Sequence, residues 1–270
     1  IGIIIPEIIT TFYMTFINEV QAILRKQGYK VMIAISSENP KQERENLLMM
    51  EQLRVDGILM SVCDKDLNVD LYNKVIERGI PIVFFDRTVE GVQASQVRMD
   101  DYIMAFFMVE ALLRKGYKHI LHIPGPAYIR NSRERQRGYR DALEKFHVAY
   151  QAQDILQPAL SAEEGSRVME QYLEKNIPFD AVFGFTETAV LGAKSTLQKH
   201  KMRIPDDVAL CCMSGTALAT LVHPQLTAVE QPIGEMARES CRLLMEHLAD
   251  NNKKTEEIAL RGETVVREST

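Results

Sequence analysis

Short apolar runs alternate with helix-length segments from one end of this chain to the other, and that alternation decides its class. Ile1–Pro6 (IGIIIP), Val31–Ser36, Gly57–Val62 (GILMSV) and Pro81–Phe85 are strand-length runs with no polar face. Such runs fit parallel strands covered on both sides. Further strands are expected near Val97, at His119–Ile123, near Asp154–Leu156, at Ala181–Phe185, at Val208–Met213 and near Thr264–Arg267. Between them apolar residues recur at helical spacing, as in Phe16, Ile17, Val20 and Leu24, or in Ile233, Met236, Ala237, Ser240, Leu244 and Leu248. Other helices are expected at Glu43–Leu53, Leu71–Arg78, Ile103–Lys115, Glu163–Lys175 and Glu187–His200. Alternation of this kind implies an α/β fold with parallel sheets and right-handed crossovers. About ten strands is a large number for one twisted sheet, so the pattern predicts two.

The stretch His119–Leu143 (HILHIPGPAYIRNSRERQRGYRDAL) shows the unit most clearly. It reads as a strand, a tight turn at Pro124-Gly125-Pro126, and a helix burying Tyr139, Ala142, Leu143 and Phe146. Asn131 is the expected N-cap, with Glu134 three residues on. Arg133 then falls in the first helical turn. Ligands of open α/β sheets sit beyond the carboxyl ends of strands, beside such turns. Arg133 is therefore either a ligand-facing arginine or one solvated charge among several, with Arg137 and Arg140; spacing alone favours the solvated face. The helix ends LRKQGYK (from Leu24) and LRKGYK (from Leu113) look alike, a weak hint of two related halves. Gly28 is the expected C-cap of the first helix.

Charge and motifs narrow the function. The formal net charge is −5, which argues against a basic nucleic-acid or anionic-membrane surface. No apolar run is long enough to span a membrane, and no signal peptide is visible. Cys63, Cys211, Cys212 and Cys241 form no CxxC pair or zinc pattern, so free buried thiols in a reducing cytoplasm are expected. Phosphate-loop, dinucleotide, nucleophile-elbow and HExxH motifs are all missing. His119 and His122, three apart on a strand, make a poor metal pair. Asp100-Asp101 and Asp206-Asp207 fit helix starts or turns. No catalytic residue, metal or cofactor is expected. What remains is a set of polar and aromatic residues at strand–helix junctions: Glu7 to Tyr13, Ser61, Asp86-Arg87, Arg133, Thr186-Glu187 and Ser214. That set suits a small polar ligand held by hydrogen bonds.

The ordered markers IGIIIP with FYMTFINEVQAILRKQGY, VDGILM, GIPIVFFDR, GYKHILHIPGP with RERQRGYRDAL, AVFGFTETAVLGA, IPDDVAL, LTAVEQP and VVREST span essentially the whole chain. In that order they resemble the effector-binding core of the lactose-repressor (LacI) family of bacterial transcription regulators. The resemblance implies two Rossmann-like lobes of the periplasmic-binding-protein type I fold joined by three hinge crossings. Residues 1–116 and 232–250 would form the N-terminal lobe, and residues 117–231 and 251–270 the C-terminal lobe. It also implies a small-molecule effector (a sugar, sugar acid or sugar phosphate) held between the lobes, a homodimer, and operator DNA reached only through a helix-turn-helix lying before residue 1. A cytoplasmic regulator without enzyme activity follows. A periplasmic solute-binding protein of a transport system is the alternative, since those proteins share the architecture.

By the same resemblance the family's effector-gripping arginine falls on Arg133, which reverses the preference from spacing and leaves Arg135, Arg137 and Arg140 as surface charges. Thr186 and Glu187 stand where the family has Asn-Asp, and Ser214-Gly215 where it has an aspartate pair. Asp100-Asp101 precede a helix of the first lobe, Ile9-Thr10-Thr11-Phe12 replaces the usual Ser-Asn-Pro-Phe, and Gln231 keeps its crossover place. The implied ligand-binding set is thus Arg133, Phe12, Tyr13, Thr10, Ser61, Thr186, Glu187, Ser214 and Gln231. Loss of two acceptors leaves open a less hydroxyl-rich, phosphorylated or acidic ligand, a changed orientation, or Glu187 as substitute acceptor.

Overall fold

The computed structural model describes residues 1–8, 10–63, 67–250 and 252–270. Ile9 lies outside them. The chain forms two compact units, Ile1–Met99 with Pro232–Leu260, and Asp100–Gln231 with Arg261–Thr270, so it passes from one to the other three times.

The first unit is built on six parallel strands in the order β10-β5-β4-β3-β1-β2. These are β1 (Gly2–Ile5), β2 (Met32–Ile35), β3 (Ile58–Met60), β4 (Ile82–Phe85), β5 (Ser95–Met99) and β10 (Glu257–Leu260). The isoleucines of β1 are fully buried because helices cover both faces, as a continuous apolar run requires. Its helices are α1 (Thr11–Lys26), α2 (Pro40–Gln52), α3 (Val69–Glu77) and α9 (Ile233–Ala249). Asn39 caps α2 through its side chain, with Pro40 at the first helical position. At the end of α1, Tyr29 N–H reaches the Leu24 carbonyl while Gly28 takes φ +85°, a left-handed turn that favours glycine. Gly116 repeats this arrangement after the fourth helix.

The second unit holds β6 (Ile120–Ile123), β7 (Ala181–Gly184), β8 (Ala209–Gly215), β9 (Thr227–Glu230) and β11 (Glu263–Val265) in the order β11-β9-β8-β7-β6. All pairs are parallel except β11 with β9. The helices α4 (Asp101–Arg114), α5 (Arg130–Lys145), α6 (Ala162–Leu173), α7 (Glu187–Lys199) and the short α8 (Leu218–Leu221) surround it. Ser161 and Glu164 close a capping box on α6. Where α6 and α7 touch, glycines let the backbones meet: a Cβ on Gly192 would lie 1.9 Å from the Ala162 carbonyl oxygen, and one on Gly165 2.0 Å from that of Ala189.

Several expectations are corrected. The helix at 101–114 packs on α5 and belongs to the second unit, so the first boundary falls at Met99/Asp100 and not at 116. Residues 257–260, which the resemblance places in the second lobe, form β10 on the first sheet. Their exposed–buried alternation is that of an edge strand. The strand expected at 154–156 shrinks to a 3-10 turn at Ala152–Asp154 and one bridge between His122 and Ile155. Asn131 is not an N-cap: α5 starts two residues earlier, after Ile129, whose N–H bonds the Pro126 carbonyl. Asn131 is instead buried within the first turn.

Candidate functional site

In the first unit, polar groups gather beyond the carboxyl ends of β1, β3 and β4. Tyr13, in the first turn of α1 and 2% exposed, places its hydroxyl 3.0 Å from Ser61 Oγ and donates to Asp86 Oδ2 at 2.9 Å. Ser61 Oγ in turn accepts the Arg87 N–H at 3.4 Å. The Arg87 guanidinium is buried and donates to Glu38 at 2.8 Å. Burial works against the Arg87 charge, but the Glu38 and Asp86 carboxylates outweigh it and keep it protonated. Burial pushes the Tyr13 hydroxyl well above its ordinary range, so it stays a neutral donor. Ser37, Glu38 and Asp86 all adopt positive φ (51°, 54° and 56°). Strain of that sort gathers at functional sites. Thr10, half-buried at the start of α1, bonds the Glu7 carboxylate through both its N–H (2.9 Å) and its hydroxyl (2.5 Å). Phe12 is buried and packs edge-on against Tyr13 at 5.0 Å. It is thus a support for Tyr13 more than an open aromatic face.

In the second unit the corresponding strand ends are β6, β7 and β8. Thr186 caps α7 by accepting the Ala189 N–H at 3.2 Å and donates to the Leu160 carbonyl. Glu187, 3% exposed, crosses to the end of β8, where it accepts Thr216 N–H at 3.1 Å and Thr216 hydroxyl at 2.5 Å. Ser214, half-buried, lies two residues before that threonine. Gln231 is the last residue before the chain leaves this unit. Gly125 lies flat against the Phe185 ring, where a Cβ would come within 2.7 Å.

The arginines separate in an unforeseen way. Arg133 is half-buried in the first turn of α5, and its Nη1 donates to the Ala127 and Tyr128 carbonyls at 3.0 Å each. Arg137 and Arg140 are surface charges. Arg135 is not: it is 2% exposed, bonds Asp101 at 2.7 Å and the Phe185 carbonyl at 2.7 Å, and lies 4.4 Å over the Phe185 ring. Its position four residues before Tyr139, on the buried stripe, was the available signal. Asp101 pairs with it from the start of α4, while Asp100 caps that helix through Ile103 N–H. Beneath them His122 is fully buried, stacked between Tyr139 and Phe183, with Nδ1 3.0 Å from the Phe183 carbonyl. Burial lowers its pKa to about 4 against the pull of that carbonyl.

Among the described residues no cluster of metal-ligating side chains occurs, and no helix is long and apolar enough to cross a membrane. The four cysteines are free and buried. Of the expected set, Tyr13 and Ser61 meet in the first unit and Thr186 and Glu187 adjoin in the second; Glu38, Thr216 and the Arg135–Asp101 pair are not in that set.

Residues 109–270, well over half of the chain, match the family described as periplasmic binding protein-like domain. Over 270 residues the chain is 27% identical to the ribose operon repressor of Halalkalibacterium halodurans, covering all of this chain and 79% of the repressor. Among solved structures it resembles a complex of the transcriptional regulator CelR with cellobiose (TM-score 0.90, 24% identity, all of this chain and 84% of that one). It also resembles a LacI family transcriptional regulator from Enterococcus faecium with bound ribose (TM-score 0.89, 22% identity, 100% and 97% covered). The two parallel-sheet units and the family match thus agree: the chain belongs to the periplasmic binding protein-like domain family, as the effector-binding core of a LacI-family transcription regulator.

Proposed function

We propose that this core senses a small carbohydrate or a related metabolite, works as a homodimer in the cytoplasm without catalysing a reaction, and adjusts operator binding by a helix-turn-helix outside these 270 residues. The observation that carries this reading is the collection of hydrogen-bonding side chains beyond the strand ends of both units: Tyr13, Ser61 and Asp86 in one, Thr186, Glu187 and Arg133 in the other. Relatives whose names or bound ligands are ribose and cellobiose support a sugar as the effector class. Thr10, Phe12, Ser214 and Gln231 complete the proposed set. Arg133 spends one nitrogen on two loop carbonyls, and its guanidinium has further donors for a ligand oxygen. Coupling of effector to operator is expected at about 1–3 kcal/mol, a 5- to 150-fold change in affinity.

A thermal-shift screen against sugars, sugar acids and sugar phosphates tests the reading, because a ligand of the native state raises Tm. One class is expected to raise it in a saturable way, and Arg133→Ala to abolish the response while leaving the unliganded Tm nearly unchanged. Binding of that ligand to Arg133→Ala with unaltered affinity overturns the assignment of Arg133; no response to any class overturns the effector class.

A further inference from the structure

The first unit carries a second polar cavity, at the opposite edge of its sheet. Its strands are parallel, and the groups described above follow their carboxyl ends. The segments leading into β4 and β5, Gly79–Pro81 and Gln93–Ala94, lie at the amino-terminal edge. A cavity of about 240 Å³ opens there, with Ile76, Pro81 and Ala94 as its apolar floor.

The rim is polar and includes a histidine. His247, in the last turn of α9 and 7% exposed, lines the cavity. Its Nε2 lies 2.8 Å from Ser95 Oγ, which also accepts the Glu256 N–H at 3.0 Å. Nδ1 has no protein partner among the described residues, and in either tautomer it is left as one donor or one acceptor. That nitrogen is therefore able to bond a ligand group. Burial, with Lys253 nearby, lowers the His247 pKa and keeps the ring neutral. The side-chain amide of Gln93 and the hydroxyl of Thr255 add donors and acceptors at the mouth.

Charge decides which ligands fit. Lys253 bonds Glu246 at 2.6 Å and Glu256 at 3.1 Å, and Arg242 holds the same two carboxylates. Neither cation is spare, and Glu77 is the carboxylate on the lining itself. An anion arriving here meets acids without a free counter-charge.

We propose that this cavity is a second small-molecule site, distinct from the strand-end groups, for a compact uncharged ligand with one apolar face and a hydrogen-bonding edge. A neutral nucleobase and a monosaccharide ring share that chemistry. The apolar face lies on Ile76, Pro81 and Ala94, and the edge meets His247 Nδ1 and Gln93. Thr255 leads into the amino-terminal end of β10, the edge strand of this sheet.

The test follows the histidine ring resonances of the whole chain by NMR during titration with uracil and glucose, and with orotate and gluconate as their anionic counterparts. A neutral probe is expected to shift the His247 ring saturably at millimolar concentration, with uracil or glucose identifying the source of the chemistry. Each anion is expected to bind ~10-fold more weakly than its neutral counterpart. Ala94→Met fills the floor and should abolish the response; Gln93→Ala, at an exposed rim position, should weaken it several-fold and covers the case in which Ala94→Met does not fold. The proposal is overturned by a His247 ring that no neutral probe moves at tens of millimolar, by equal binding of the anions, or by an unchanged response in folded variants.

Discussion

Arg135 and Asp101 form a 2.7 Å ion pair sealed from solvent, and the same guanidinium donates to the Phe185 carbonyl. Asp101 is the second residue after the chain enters the second unit, and Phe185 immediately precedes Thr186 and Glu187. One side chain therefore ties a crossing to a proposed ligand-facing turn.

Arg135→Ala removes the buried cation that faces Asp101. Breaking such a pair costs roughly 3–5 kcal/mol. Urea unfolding should show a loss of that size, whereas Arg133→Ala should stay within about 1 kcal/mol of the parent. Equal effects of the two substitutions would contradict the division between buried and half-buried arginines.

His122 sets a pH dependence. Its folded pKa of about 4 lies below the ordinary 6.5, so between those values the unfolded chain binds the proton and the folded chain does not. Stability from this residue is complete above pH 6.5 and falls progressively toward pH 4, by on the order of 3 kcal/mol. His122→Phe should flatten the stability profile across that window. A His122 ring that titrates near 6.5 by NMR would refute the account.

Tyr13→Phe removes the hydroxyl that meets Ser61 and Asp86. Unsatisfied partners of this kind cost about 1–3 kcal/mol. The expected result is a lower Tm together with weaker effector response, since the proposed first-unit half loses its central donor. An unchanged Tm would show that the hydroxyl's two bonds add nothing.

Gly192→Ala forces α7 away from Ala162, because the added methyl has backbone oxygen 1.9 Å away. Overpacking against backbone is expected to cost about 1–3 kcal/mol or more. The shift should also reach the turn at Thr186 and Glu187, where α7 begins, and weaken ligand response. A variant as stable and as responsive as the parent would disprove rigid contact here.

The strand–helix alternation was legible because parallel strands buried on both faces leave unbroken apolar runs, as in Ile3–Ile5 and Ile82–Phe85. Asp154–Leu156 and Glu257–Leu260 misled for opposite reasons. Asp154–Leu156 carries two adjacent apolar residues but pairs through Ile155 alone; Glu257–Leu260 is a short edge strand behind a polar segment, with its glutamate facing water. Thr186-Glu187 stand out in the sequence because they follow β7 almost directly, and Tyr13 because it lies in the first turn of the helix after β1. Arg135 could not be told from its neighbours by charge, since only three-dimensional pairing with Asp101 distinguishes a buried arginine from a wet one. The first boundary slipped because α4 reads as an ordinary helix, and its choice of α5 as neighbour leaves no mark on its own sequence.

Strand β10 and helix α9 complete the first unit from residues 232–260, after nearly all of the second unit has been specified. During synthesis, residues 1–99 emerge without the helix and edge strand that cover them. The amino-terminal sheet must wait, partly bare, while more than a hundred later residues are added. Strand β11 imposes a shorter wait on the second sheet, which gains its last edge only at residues 263–265. Neither half of this sensor is a self-sufficient product of the ribosome, and a message truncated before residue 232 would yield an amino-terminal unit lacking both α9 and β10.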